Sequence, residues 1–415
     1  MSSPLASTIL PDLTPMSVSP KRQDRLPRLC YLGSVPVEPS AAGMMLLHRL
    51  LAAYPAERLA VGLHAETARP RLPAALPGVR TFVVPKLFQR GWVFGRRRAP
   101  GLFLRFLRLH AHHQARLALR HLGDFRPEAI LTVHEKFGAF PAQALAAQLG
   151  VPLHVILHDE WHRDMPMPAR ARDRFEATFR QLYHTAASRL CVCPYMEEDY
   201  ALRYGRRGTV LYPYRARDAV AATVPPPQVG TPGTPLTVAY GGTVCSDGYW
   251  NALRALAAAL RGVGGRLILL GPAPAEVAAQ GLVGDHIDAR GYCRAMMSVM
   301  RAEANALFLP MAFEASEEAN ARVSFPSKLT EYTATGLPLL IYGPPYASAV
   351  RWAQSHPGTS EVVAIPGEAA LAPAVLRLRD PAHRTRLAEA SLQLGNTYFG
   401  FDRAERLFHQ ALAAA

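Results

Sequence analysis

Short apolar runs alternate with longer amphipathic stretches along the first half of the chain. The runs predict β-strands at residues 29–33, 59–63, 81–84, 129–133, 153–157 and 190–193. Helical stretches lie between most of these strands, for example at residues 141–149 and 169–187. This alternation predicts a parallel sheet covered by helices.

A second series of the same kind occupies the rest of the chain. Its strands are predicted at residues 236–240, 266–270, 287–290, 306–309, 338–342 and 361–365. The stretch between the two series is too rich in proline and glycine to continue a helix or a strand. We therefore expect a disordered leader at 1–27, an N-terminal domain at 28–220, a linker at 221–235, a second domain at 236–398 and a terminal helix at 399–415. That helix could pack on either domain.

Two doubly wound domains joined by one linker leave a cleft between the carboxyl ends of their sheets, where such folds bind ligands. Composition agrees with this organisation, because 49% of the 415 residues are hydrophobic and only 19% are charged. The five cysteines show no spacing typical of a zinc site or a disulfide framework. The leader lacks the apolar core of a signal peptide, and no apolar run is long enough to cross a bilayer. We expect a cytoplasmic protein, or one that is peripheral on the inner face of the membrane.

The charge of the chain favours anionic partners. The net charge is +14, and only four of the basic residues are lysines. Residues 88–122 mix eight arginines with aromatic and aliphatic side chains, which suits an anionic lipid surface. The same mixture equally suits a core helix with a solvated basic face. Nucleic acid is not expected as a partner, because no nucleic-acid-binding module accompanies the charge.

Residues 324–338 carry the most informative chemistry. Pro326 suits the first turn of a helix, Ser324 or Ser327 can cap that helix, and Gly336 can end it. A helix that begins at the cleft offers free backbone amides and a partial positive charge, both of which stabilise a diphosphate.

Two charged residues follow the predicted helix start. Lys328 adds a mobile cation there, next to Ser327. Glu331 lies about one turn further on, so its carboxylate can accept hydrogen bonds from ribose hydroxyls. The simpler interpretation is an ordinary capped helix whose lysine and glutamate are solvated.

Polar residues also follow two strands of the first domain. His158 and Asp159 come directly after the strand at 153–157, where side chains face the cleft. A neutral histidine can hydrogen-bond a sugar hydroxyl, and a carboxylate can accept a proton from an acceptor hydroxyl. His134 and Glu135 follow the strand at 129–133 and are candidates for the acceptor side. The alternative is that these residues only terminate their strands.

The sequence at 324–338 resembles the donor-binding motif of the retaining GT-B glycosyltransferases related to family 4. In that family a Glu-x7-Glu motif precedes a small-residue helix, a Gly-x-Pro turn and a buried strand. Glu331 matches the second glutamate, which in the family holds the nucleotide ribose. Val323 stands where the spacing would put the first glutamate. Glu314, which follows a predicted strand ending near Pro310, is the candidate equivalent if an insertion separates the two halves.

The resemblance extends over most of the chain. Gly242 and Thr243 look like the family's glycine turn beside the donor phosphates, although the arginine and lysine that usually follow are missing. Tyr292 lies where the family has a loop that contacts the nucleobase. Gly43 resembles the glycine loop beside the transferred sugar, and His158 with Asp159 resembles a family histidine or His-Asp pair.

The resemblance implies an α/β protein of the GT-B class, with two Rossmann-like doubly wound domains facing each other across a cleft. It implies a hexosyl-type transferase of polysaccharide biosynthesis that moves a sugar, with retention, from a nucleotide-diphosphate sugar to a glycan or lipid-linked acceptor. No metal or other cofactor is expected, since the family needs none and the chain shows no Asp-x-Asp pair at the cleft. The alternatives are a catalytically weak glycan-binding or scaffold protein and a sugar-nucleotide epimerase.

Overall fold

The computed structural model describes residues 26–40, 42–65, 76–85, 99–135, 137–160, 169–232 and 235–414. Most of the predicted leader and the arginine- and aromatic-rich residues 86–98 lie outside the described residues.

The first domain is built on a parallel sheet of seven strands. The strands are β1 (Leu29–Gly33), β2 (Leu59–Ala65), β3 (Arg80–Pro85), β4 (Ala129–Val133), β5 (Leu153–Leu157), β6 (Ser188–Cys191) and β7 (Thr209–Val210). The helices are α1 (Ala42–Ala52), α2 (Ala99–Leu122), α3 (Ala139–Leu149), α4 (Ala169–Thr185) and α5 (Pro194–Tyr204). The strand order is β3-β2-β1-β4-β5-β6-β7. Every residue of the central strands β1, β4 and β5 is buried, because helices cover both faces of the sheet.

The second domain repeats this architecture with six parallel strands. They are β8 (Thr237–Gly241), β9 (Arg266–Leu270), β10 (Ile287–Gly291), β11 (Ala306–Pro310), β12 (Leu339–Tyr342) and β13 (Ser360–Val363). Its helices are α6 (Asp247–Gly262), α7 (Pro274–Ala279), α8 (Met296–Glu303), α9 (Glu318–Val323), α10 (Ser327–Tyr332), α11 (Ser348–Gln354), α12 (Glu368–Arg377) and α13 (Pro381–Tyr398). The strand order is β10-β9-β8-β11-β12-β13.

Both sheets reverse their winding direction at one point. The reversal lies between β1 and β4 in the first sheet and between β8 and β11 in the second. In doubly wound sheets the crevice that binds ligands opens at this point, beyond the carboxyl ends of the strands. The residues that follow these strands are therefore the ones best placed to form a site.

The last helix, α14 (Phe401–Ala413), packs on the first domain. The ring of Phe408 lies 6.4 Å from that of Tyr54, and Phe401 lies 5.9 Å from Tyr214. The chain thus crosses back to the first domain after α13. The sequence allowed the terminal helix to pack on either domain, and the structure places it on the first. A second covalent crossing restricts how the two domains can move relative to each other.

An aromatic cluster joins the two domains beside the cleft. Tyr212, from the first domain, lies 5.1 Å from the ring of Phe325 and 5.6 Å from that of Phe399. Phe325 in turn lies 6.1 Å from Trp352. Aromatic pairs of this kind each contribute about 0.5–1.5 kcal/mol beyond the apolar area they bury. Because Phe325 immediately precedes Pro326, the cluster also fixes the start of α10.

Candidate active site

Helix α10 begins at Ser327 and is only six residues long. Pro326 occupies the N-cap position in an extended conformation, and no side chain caps the helix. The prediction that Ser324 or Ser327 caps it was wrong, because Ser327 is already helical and the cap position is taken by Pro326, whose side chain cannot accept a hydrogen bond. The prediction that Gly336 ends this helix was also wrong, because α10 ends at Tyr332 and Gly336, with a left-handed φ of 71°, lies in the turn before β12.

Lys328 reaches from α10 to the turn that follows β8. Its Nζ donates to the hydroxyl of Tyr240 at 2.8 Å and to the carbonyl of Thr243 at 3.3 Å. The ammonium also lies 4.6 Å from the centre of the Tyr240 ring. Burial lowers the pKa of Lys328 to about 8. The side chain is therefore a partly desolvated cation at neutral pH, held against the candidate phosphate turn.

The turn after β8 brings backbone and side chain into close contact. Gly242 has a φ of 117°, and a Cβ at this position would lie 2.5 Å from Cε of Lys328. The next turn is equally tight, since a Cβ on Gly271 would lie 2.4 Å from the Gly242 carbonyl oxygen. Only glycine fits at either position. Thr243 is exposed at the tip, whereas the amide of Gly242 already donates to the carbonyl of Leu270 at 2.8 Å and is not free to bind a ligand.

Glu331 joins the two domains. Its carboxylate lies 2.8 Å from Nη1 of Arg49, which belongs to the last turn of α1 in the first domain. Arg49 also donates to the carbonyl of Tyr214 at 2.8 Å. The two side chains of the ion pair are 16% and 31% exposed, so solvent still reaches both. A ribose that binds Glu331 as predicted would compete with Arg49 for the same oxygens.

A buried arginine fixes the other side of α10. Arg215 donates from Nε to the carbonyl of Thr330 at 3.1 Å and from Nη2 to the hydroxyl of Thr333 at 3.1 Å. Its Nη1 donates to Asn396 of α13 at 2.6 Å. Burial lowers the pKa of Arg215, and the negative charge of Glu331 opposes this shift. Arg215 therefore holds α10 in a defined orientation at the domain boundary.

Glu314 lies against the first turn of α6. Its Oε1 accepts from Asn251 at 2.8 Å, and a Cβ on Gly248 would lie 2.1 Å from its Oε2. Within the described residues, this buried Oε2 has no hydrogen-bond partner. The start of a helix stabilises a carboxylate, which explains why the charge is tolerated. Val323, at the family's spacing, is a core residue whose carbonyl accepts from the Cys193 thiol at 3.0 Å.

His158 and Gly43 meet where β5 ends and α1 begins. A Cβ on Gly43 would lie 3.9 Å from Nδ1 of His158. Burial lowers the pKa of His158 to about 4, so the imidazole is neutral at pH 7. A neutral imidazole offers one donor and one acceptor nitrogen. This arrangement can hydrogen-bond a hydroxyl group but does not supply a positive charge.

Asp159 is exposed and lies within electrostatic reach of the second domain. Burial raises the pKa of Tyr249, and the charges of Cys245, Glu317 and Asp159 raise it further. The ring of Tyr249 lies 5.7 Å from Nζ of Lys328. Tyr249 therefore lies beside Lys328 on the second-domain side of the candidate site.

A hydrogen bond across the domain boundary holds the loop that carries His158 and Asp159. The backbone amide of Glu160 donates to Oδ1 of Asn320, on α9 of the second domain, at 3.0 Å. The fully buried Glu160 side chain lies 3.0 Å from Nη1 of Arg203. The loop is therefore fixed from both sides.

The remaining predicted residues lie in different environments. His134 is 2% exposed and stacks on Phe179 with ring centroids 4.2 Å apart, so its ring is packed inside the first domain. Glu135 is half-buried. The pKa of Tyr31 is raised mainly by the burial of Tyr31, and the negative charge of Glu135 raises it further. Tyr292 is 79% exposed and follows the residue that ends β10.

The structure thus brings Lys328, Thr243 and Gly242 together, and it places His158 beside Gly43. The residues that the sequence analysis missed are Arg49, Tyr240, Tyr249, Asn320 and Arg215. No sequence signal identifies most of them, because their contacts join segments far apart in the chain. In the described part of the chain, no group of three or more His, Cys, Asp or Glu residues is placed to hold a metal ion. None of the described helices combines the length and apolarity that crossing a bilayer requires.

Comparison with other proteins identifies the fold. No model of a protein family and no curated protein matches the chain. Among solved structures, Alr3699/HepE of Anabaena in complex with UDP matches with a TM-score of 0.65 and 14% identity, covering 93% of this chain and 100% of that one. A glycosyltransferase of Rickettsia africae matches with a TM-score of 0.65 and 11% identity, covering 93% and 98%. The α,α-trehalose 6-phosphate synthase of Burkholderia multivorans matches with a TM-score of 0.59 and 15% identity, covering 94% and 97%. The predicted fold class is confirmed: the chain has the GT-B fold, with two Rossmann-like doubly wound domains.

Proposed function

We propose that the protein is a glycosyltransferase that moves a hexose-like sugar from a nucleotide-diphosphate sugar to an acceptor hydroxyl. One observation carries the proposal. The short helix α10 directs Lys328 to the glycine turn of the second domain and Glu331 to Arg49 of the first domain. A cation and a carboxylate on one helix, facing the boundary of two Rossmann-like domains, match what a nucleotide diphosphate needs.

In this proposal, Lys328 and the backbone amide of Thr243 hold the diphosphate, and Gly242, which has no side chain, lets the phosphates come close to the turn. Negative charge builds up on the diphosphate as the bond to the sugar breaks, and a preorganised cation stabilises that charge. Ser327 lies one residue before Lys328 and completes this side of the site. Because the usual basic residues after the glycine turn are missing, Lys328 supplies the main positive charge there.

Glu331 holds the ribose hydroxyls once Arg49 releases it. The exposed ring of Tyr292 offers a surface for the nucleobase. Alr3699/HepE, which has the same fold, has been crystallised with UDP-glucose. A uridine donor is therefore the first to test.

The sugar and acceptor meet at the end of β5. The neutral His158 hydrogen-bonds a sugar hydroxyl, Asp159 accepts the acceptor proton, and Gly43 leaves room for the sugar ring. Glu314 lies nearby at the start of α6 and binds donor hydroxyls, while Glu135 borders the acceptor side with His134 packed behind it. Retention of configuration and the metal-independent mechanism are proposed from the family resemblance, as are a glycan or lipid-linked acceptor and a cytoplasmic location.

Turnover of labelled donors tests the proposal. The protein is incubated with isotope-labelled UDP- and GDP-sugars, and the released nucleotide, free sugar and glycosylated products are separated. We expect nucleotide release from one donor class, abolished in Glu331→Ala and unchanged in Glu368→Ala, an exposed glutamate on α12. Binding without any donor cleavage would favour the scaffold alternative. Free epimerised sugar formed without acceptor would identify an epimerase.

A further inference from the structure

The excess positive charge of the chain lies almost entirely in one stretch. Residues 67–123 contain 12 lysines and arginines and no aspartate or glutamate. The other residues then hold 34 basic and 32 acidic side chains, so this stretch carries +12 of the net +14. Such a segregated charge is not required by the donor site, whose cation is Lys328. It indicates a separate anionic partner.

Helix α2 carries most of the described part of this stretch. One side of the helix is buried against α3 and β3 through Leu107, Ala111, Ala115, Ala118 and Leu122. The opposite side forms an exposed stripe at intervals of three and four residues, hereafter the α2 face: Phe106, Leu109, His113, Arg116 and Arg120. The helix therefore has apolar side chains on two opposite sides, and its own domain covers only one of these sides.

The exposed apolar residues of the α2 face distinguish it from an ordinary solvated helix surface. Phe106 is 50% exposed and Leu109 is 69% exposed. The neighbouring helix α4 mixes its arginines with Asp173 and Glu176, as solvated surfaces do. Helix α2 has no acidic residue over its 24 positions. Its arginines therefore have no carboxylate partner within the helix, and its apolar groups face water.

A cavity continues this surface on one flank of α2. It has a volume of about 390 Å³ and lies between α2, α3 and α4. Leu107, Phe140 and Val151 contribute apolar lining, and the exposed Arg108 and His112 line the cavity together with polar residues such as Thr178. This cavity therefore places apolar and basic side chains next to each other, as the α2 face does.

We infer that the α2 face is a docking surface for an anionic lipid bilayer. Phe106 and Leu109 enter the boundary between headgroups and acyl chains, and the arginines pair with anionic headgroups. Each basic residue close to an anionic membrane raises the binding constant about fivefold. This inference does not depend on the proposed sugar transfer. If both hold, the bilayer brings a lipid-linked acceptor close to the enzyme.

Vesicle co-sedimentation of the full-length protein tests the inference. The probes are vesicles of phosphatidylcholine alone and vesicles that also contain phosphatidylglycerol. We expect binding only to the anionic vesicles, and we expect Arg116→Glu with Arg120→Glu to weaken it by at least about twentyfold. The control is Arg261→Glu with Arg386→Glu, which makes the same charge change at exposed positions of the second domain and should retain most of the binding.

A second variant separates apolar insertion from charge. Phe106→Ser with Leu109→Ser should weaken binding most clearly at high salt, where the arginine contribution is screened. The inference is overturned if both α2 variants bind anionic vesicles as well as the wild type, or if the control variant loses as much binding. It is also overturned if the wild type binds duplex DNA or RNA but not vesicles, because the partner is then a nucleic acid.

Discussion

Replacing Lys328 with methionine should change stability and ligand binding in opposite directions. Methionine keeps most of the length of the side chain and removes its charge. In the structure, Lys328 is largely desolvated and its hydrogen bonds go to two neutral groups, the Tyr240 hydroxyl and the Thr243 carbonyl. The charged form is therefore disfavoured in the folded protein, and the substitution removes that cost.

The size of the effect follows from the pKa. Burial lowers the pKa of Lys328 from 10.5 to about 8. At 1.36 kcal/mol per pKa unit, the protonated side chain costs the fold on the order of 3 kcal/mol. Loss of its hydrogen bonds offsets roughly 1 kcal/mol of the gain. Lys328→Met should then raise the free energy of unfolding by about 2 kcal/mol at pH 7.

The pH dependence has a definite sign. Between about pH 8 and 10.5, the unfolded chain keeps the proton on Lys328 while the folded protein has released it. The unfolded state binds more protons in this window, so wild-type stability rises with pH relative to the variant. The difference between the two proteins should therefore shrink as the pH increases from 8 to 10.5.

Urea unfolding of both proteins at neutral and alkaline pH measures this difference, and calorimetric titration with UDP measures binding. The expected result is a more stable variant at pH 7 whose affinity for UDP is at least about tenfold lower, because a charge-assisted contact to the diphosphate is lost. A variant that is less stable than the wild type at pH 7, or that binds UDP equally well, would refute the reasoning.

Three further substitutions probe the site. Arg49→Ala should raise UDP affinity by up to about fivefold in a fluorescence titration, because the substitution frees the carboxylate of Glu331. The control Arg58→Ala, which breaks an exposed ion pair of the first domain, should leave the affinity unchanged. Gly242→Ala should lower the free energy of unfolding by about 1–3 kcal/mol in a thermal unfolding measurement, because alanine disfavours a φ of 117° and its Cβ would press against Lys328. The same substitution should weaken UDP binding. Gly262→Ala, where a Cβ meets open space, should do neither. His158→Phe should abolish turnover of labelled donor and keep UDP affinity, and retention of turnover would remove this histidine from the mechanism.

The alternation of apolar runs was sufficient to predict every strand of both sheets except β7. The bounds of β1, β4, β5 and β9 agree with the predicted ranges, since each is a short, mainly apolar run. The strand predicted at 190–193 ends earlier, at Cys191, because Pro194 begins helix α5 and its fixed φ favours the helix start. Local patterns set these elements, and local patterns are visible in a sequence.

The contacts of the candidate site could not be predicted in the same way. Arg49 and Glu331 are 282 positions apart, and only the packing of α1 against α10 brings them together. The expected serine cap on α10 was wrong because Phe325 is held in the aromatic cluster and Pro326 takes the cap position. Glu314 is separated from α10 by the short helix α9, which the sequence pattern did not reveal.

Calorimetric titration of UDP and GDP into the wild type and Glu331→Ala tests the central claim most directly. The account predicts that at least one nucleotide binds the wild type, that the substitution weakens this binding by at least about tenfold, and that Glu368→Ala binds normally. Equal affinity in the wild type and Glu331→Ala would show that nucleotides do not bind at α10 and would contradict the proposed site.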